Sequence, residues 1–143
     1  MKKIFALILA VVMILSVSSV GIAAVVDPPE SPQQSNYFNH YGVAVSAPGS
    51  NKVVFTFSCA GVGVCSQLGV ATYVVQKRNS SGEWVDVTEW LPGKCGYNVS
   101  TYAFSKNFYG IQNQYYRVKC TFVCVKDGSM ESKSYTSPAV RCR

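Results

Sequence analysis

The sequence predicts an all-β chain, a single antiparallel sandwich of about seven short strands preceded by an export signal. Three observations lead there. Beyond Tyr37 the apolar residues recur with a period of two rather than 3.6, and clusters of Gly, Pro, Asn, Asp and Ser punctuate them at short intervals. All six cysteines, Cys59, Cys65, Cys95, Cys120, Cys124 and Cys142, lie downstream of the N-terminal stretch, where disulfide cross-links of a small exported domain are expected.

Residues 1–24 read as a cleavable signal peptide. Lys2 and Lys3 supply a positive start, Ile4 to Leu15 is an uncharged apolar run, and Gly21-Ile22-Ala23-Ala24 offers small residues at a cleavage site. The uncharged stretch from Ile4 to Val26 is also long enough to span a bilayer, but its core thins into Ser16, Ser18, Ser19 and Gly21, which favours cleavage over an anchor. Residues 25–36, with Pro28, Pro29 and Pro32, cannot continue a helix or feed a sheet ladder and read as a Pro-rich linker. The domain is therefore expected over residues 37–143, enough chain for one core.

Within it, Gly42 to Ala47 forms a short strand closed by Pro48-Gly49. Val53 to Cys59 alternates, with Val53, Phe55, Phe57 and Cys59 on one face. Val70 to Lys77 and Trp84 to Thr88 flank Asn79-Ser80-Ser81-Gly82, a polar turn that makes them a hairpin. A weaker strand covers Asn98 to Phe104. Tyr115 to Val125 is the longest expected strand, with Tyr116, Val118, Cys120, Phe122 and Cys124 on one face and Arg117, Lys119 and Thr121 on the other. Lys126-Asp127-Gly128-Ser129 turns it into a last strand near Glu131 to Ser137.

The pair Tyr73-Val74-Val75-Gln76-Lys77-Arg78 and Gly82-Glu83-Trp84-Val85-Asp86-Val87, followed by Tyr116-Arg117-Val118-Lys119-Cys120 and Ser137-Pro138, resembles the middle hairpin, sixth strand and final strand of fibronectin type III and related immunoglobulin-like domains. The resemblance covers residues 41–142 and puts Tyr116 at the tyrosine of the tyrosine corner. It departs from the family upstream, where Phe108-Tyr109-Gly110-Ile111 replaces the usual Leu and Pro, and in a second strand without tryptophan. The chain is also similar to short secreted Gram-positive bacterial proteins of unknown function that carry a Tyr-Arg-Val-Lys strand. Neither likeness implies catalytic residues.

The strand order that the resemblance implies gathers Cys59, Cys65, Cys95 and Cys124 at one pole. A bridge from Cys59 to Cys120 or Cys124, with Cys65 to Cys95, is then allowed. Cys142 does not fit: a tight hairpin at Asp127-Gly128 sets it level with about residue 113, roughly 36 Å of strand below Cys124 and far beyond disulfide reach. Either the last strand bends back, or Cys142 pairs between chains, or the order differs.

The chemistry-bearing residues point away from catalysis. No C-x2-C spacing occurs and His40 is the only histidine, so structural disulfides are expected rather than a metal site, and no cofactor is implied. His40 lies in Ser35-Asn36-Tyr37-Phe38-Asn39-His40-Tyr41 without a nucleophile motif. Asp86 and Glu89, three apart at a strand end, face opposite ways and make no acid/base pair. Lys+Arg number 13 against 7 Asp+Glu, for a net charge of +6 with the basic residues scattered, which argues against nucleic acid. Aromatic side chains beside Asn, Gly and Ser make Trp90, Tyr97 and Tyr109 candidate members of a binding surface. The pole segments Ala60 to Gly69, Leu91 to Tyr97 and Lys126 to Met130 are the expected contact surface. The expectation is a secreted, non-catalytic binding domain for an extracellular protein or carbohydrate, with no stable membrane insertion after signal cleavage. A small secreted effector, antibacterial or enzyme-inhibiting, is the alternative.

Overall fold

The computed structural model describes residues 35–143; the expected signal peptide and all but the last two residues of the expected linker lie outside them. The described residues form eight strands: β1 (Phe38–Gly49), β2 (Lys52–Arg78), β3 (Trp84–Asp86), β4 (Leu91–Pro92), β5 (Cys95–Tyr109), β6 (Tyr115–Lys126), β7 (Ser129–Thr136) and β8 (Val140–Arg141). Every pairing is antiparallel, and the strands make one curled sheet organised on β2.

β2 runs through both halves of the sheet. Its first half lies between β1 and β5, with Phe57 opposite Val43 on one side and Phe104 on the other. Its second half lies between β6 on one side and β3, β4 and the start of β5 on the other. The segment Ala60 to Gly69, expected to be a loop, is thus strand, and the two strands expected at Val53–Cys59 and Val70–Lys77 are one element. Free of Pro and flanked on both sides by Val-rich stretches, the segment has no residue that forces the ladder to end. Gly63, at φ +78°, supplies the left-handed conformation needed inside the register shift between Ala60 and Cys65.

The shifts decide which side chains face inward. In the first half the odd positions Val53, Phe55, Phe57 and Cys59 are buried. After the first shift the buried positions are Cys65, then Leu68 and Val70, and after a second, between Val70 and Thr72, Tyr73 and Val75 face the core while Val74 and Gln76 are covered on the other side. Each extra residue in a bulge moves the following side chains to the other face, so one strand can line both walls of a curled core. Tyr116, Val118, Cys120, Phe122 and Cys124 of β6 are buried, as their alternation predicts. Rings cross between the halves: Phe57 lies 5.3 Å from Tyr73 and Tyr41 lies 5.5 Å from Phe122. Each buried Phe stabilises the fold by about 1.5–3 kcal/mol relative to an exposed one.

The hairpin at Asn79–Gly82 forms as expected, with Arg78 opposite Trp84 and Asn79 Oδ1 accepting from the Ser81 and Glu83 amides. β3 is shorter than expected, ending at Asp86. β5 extends well beyond the expected Asn98–Phe104 because it can pair with both halves of β2. β8 has no counterpart in the sequence reading; its two residues pair with Tyr115 and Tyr116.

Candidate binding pole

Antiparallel register builds one pole of the molecule from three separate stretches of chain. Tyr97 pairs with Gln67, Gln67 with Val125, and Val125 with Met130. Directly paired residues project to the same side of a sheet, so these four make one cross-strand row, three strand spacings or about 14 Å long. Its two ends, Tyr97 and Met130, are 68% and 69% exposed. Val62 and Val64, also exposed, precede the row on β2, where Lys126 Nζ donates to the Val62 carbonyl. The three expected pole segments therefore do meet, although the first of them is strand.

The aromatic residues named from sequence are not all part of this row. Tyr97 belongs to it. Tyr109 sits twelve residues further along β5, opposite Lys52, roughly 40 Å of strand away and 68% exposed. Trp90, 54% exposed, lies just before β4, whose Leu91 is opposite Tyr73. These three rings do not share one patch. Gln67 and Met130 were not singled out from sequence, because only register places them beside Tyr97.

Beneath the row the N-terminal segment is latched to β7. Glu131 Oε2 accepts from Ser35 Oγ and from the Tyr37 amide, each at 3.0 Å, and Glu131 Oε1 is 3.1 Å from Lys133 Nζ. Burial works to raise the Glu131 carboxyl, but the hydrogen bonds from Lys133, Ser35 and the Tyr37 amide, with the Lys133 charge, hold it below its usual range. The Tyr37 carbonyl accepts in turn from the Val62 amide at 2.8 Å.

The same half of the molecule holds five of the six thiols, all but Cys142. Cys124 donates to Cys65 Sγ at 2.9 Å, both side chains fully buried. No two sulfurs stand at disulfide bonding distance. Cys65 thus lies against Cys124, a partner not among those expected for it. Burial first pushes the Cys124 thiol up to about 12, and the Cys65 hydrogen bond adds to it. Cys59 is pushed up to about 12 by burial and then by Cys95 and Cys65, and Cys120 to about 12 by burial and then by Cys59. Thiols held in that range are almost wholly protonated near neutrality and are poor nucleophiles.

His40 borders a shallow depression of about 350 Å³ floored by Ser58, Ala60 and Ala103. Asp86 accepts from Gln76 Nε2 at 2.8 Å, Gln76 Oε1 accepts from Arg117 Nε at 2.9 Å, and the Arg117 guanidinium lies 4.3 Å from the Trp84 ring. That chain of contacts ties β3 to the outer face of β2 and β6. No group of three or more His, Cys, Asp or Glu among the described residues is arranged to hold a metal ion. No protein-family model matches the chain, and no curated protein is detectably similar to it.

Proposed function

We propose that the chain is an exported, non-catalytic binding module with an immunoglobulin-like fold, and that it contacts an extracellular protein or carbohydrate through the pole carrying Tyr97, Gln67 and Met130. The observation that carries this reading is the cross-strand row itself: an exposed ring and an exposed thioether end a row that carries an amide and a valine between them. A planar ring beside a hydrogen-bonding amide suits a sugar face or an extended peptide.

Two features support the immunoglobulin-like part. β1, the first half of β2 and β5 are neighbours, as are β3, the second half of β2, β6 and β7, which is the strand order of a fibronectin type III domain with its second and third strands joined. The Tyr116 hydroxyl also accepts from the Ile111 amide at 2.8 Å, the bond that defines a tyrosine corner. The raised thiols favour a structural over a catalytic use of the cysteines.

The test is binding of the purified domain to panels of immobilised glycans and extracellular proteins, repeated with Tyr97→Ala and Met130→Ala. A hot-spot contribution lowers affinity about 30-fold for either variant with the thermal midpoint unchanged. Binding that survives both substitutions, or a Tyr97→Ala protein that unfolds, overturns the assignment.

A further inference from the structure

The six cysteines divide unequally between the two ends of the molecule, and that division limits which of them can ever be joined. Cys65 and Cys124 meet at 2.9 Å in the buried pole, and the mutual charge effects of Cys59 with Cys95, Cys65 and Cys120 place those thiols in the same half. Cys142 is at the other end. Its amide donates to the Gln114 carbonyl at 2.8 Å, and its carbonyl accepts from the Asn113 amide at 2.9 Å. Gln114, immediately before β6, is six residues below Cys120, roughly 20 Å at strand rise, whereas bridged cysteines have Cα atoms about 4.4–6.8 Å apart. Cys142 is also fully buried.

We infer that Cys65 and Cys124 are the built-in disulfide pair of this domain, and that Cys142 takes no part in any bridge within one folded chain. The two sulfurs need to approach by only about 0.9 Å to reach a bonded separation near 2.05 Å. The site is shaped for sulfur: Gly61 has no side chain, and a Cβ there would run into Cys65 Sγ. A bridge spanning 59 positions of sequence and tying β2 to β6 restricts the unfolded chain strongly. Five cysteines in one half allow at most two bridges, so one further thiol stays reduced beside Cys142.

The oxidant is a disulfide of the environment, such as glutathione disulfide. One cysteine loses its proton and attacks a donor sulfur, which breaks the donor S–S bond, forms a mixed disulfide and releases one donor thiolate. The second cysteine, deprotonated in turn, displaces the remaining donor thiolate and forms the Sγ–Sγ bond. Two electrons pass from the cysteine pair to the donor, and the two cysteine protons end on the two released donor thiols.

The deciding experiment equilibrates the full chain in a glutathione redox buffer, blocks remaining thiols with iodoacetamide in denaturant so that buried thiols react, and maps links by non-reducing proteolysis with fragment-ion sequencing. Cleavage between Cys59 and Cys65, and at Phe122 between Cys120 and Cys124, keeps the assignment unambiguous. The expected map has a Cys65–Cys124 link and an alkylated Cys142 in the monomer. Cys65 linked to Cys95, Cys59 or Cys120, both Cys65 and Cys124 recovered alkylated, or Cys142 in an intrachain link, each overturns the inference. A Cys59→Ser/Cys120→Ser variant gives a second reading: the same link persists there, and its disappearance overturns the pairing.

Discussion

The two ends of the curled sheet close by different means. At the pole that carries Tyr97 the chain is held by the Cys65–Cys124 contact and by the Glu131 latch on Ser35 and Tyr37, all made by residues distant in sequence. At the opposite end closure rests on one buried ring and on backbone hydrogen bonds, with no ion pair or thiol pair in it among the described residues. Tyr116 accepts from Ile111 N and packs 5.2 Å from Phe108, Gly110 lies against the Tyr116 ring, and Arg143 accepts from the Asn51 amide at 2.8 Å. One end is therefore expected to respond to oxidant and acid, and the other to the fit of a single side chain.

Removing that side chain is the most damaging change. Tyr116→Ala vacates a site that is 2% exposed and costs about 3–5 kcal/mol in urea unfolding, whereas Tyr97→Ala at the exposed pole stays within about 0.5 kcal/mol. Equal losses at the two tyrosines would erase the contrast. Next come the glycines. A Cβ on Gly110 would stand 2.6 Å from the Tyr116 ring and one on Gly61 would meet Cys65 Sγ, so each Gly→Ala change costs about 1–3 kcal/mol by overpacking. The two are separable by a double-mutant cycle: Cys65→Ala relieves Gly61→Ala and leaves Gly110→Ala unchanged.

A smaller effect follows from Tyr116→Phe, which keeps the ring and leaves the Ile111 amide without its acceptor. About 1 kcal/mol is expected, together with faster hydrogen exchange at Ile111. The smallest is the response of the latch to acid. Because the folded Glu131 carboxyl titrates below its unfolded value, its contribution is fully present above the unfolded value of about 4.3 and is lost as pH falls through the lower folded value. Amide exchange at Tyr37 and Phe38, corrected for intrinsic rate, is expected to accelerate across that window, with under about 0.5 kcal/mol at stake. Glu131→Gln removes the pH dependence, and acceleration that persists in that variant rules the latch out as its cause.

The β class and two of the buried faces were legible from residue order alone. A period of two is a local property, and Val53–Cys59 and Tyr116–Phe122 each alternate, so their inward faces follow from the pleat. The Asn79–Gly82 turn was legible for the same reason, since its residue types fix its own backbone. The level of Cys142 was too: counting residues back from the Asp127-Gly128 turn sets it near residue 113, where its carbonyl accepts from the Asn113 amide.

Other features depended on contacts that no short window of sequence contains. Ala60–Gly69 looks like a loop because glycines break its alternation, yet β6 and β5 supply partners that keep it in the sheet. The bulges that exchange its faces determine that Leu68 and Val70, then Tyr73 and Val75, point inward. Pairing register set the membership of the pole: it joined Gln67 and Met130 to Tyr97 and left Tyr109 at the other end of the same strand. The sequence by itself determined the periodicity, the turns and the number of thiols, because each is written in neighbouring residues. Tertiary structure alone decided which thiol faces which and which exposed side chains share a surface, because both depend on strand register between segments far apart in the chain.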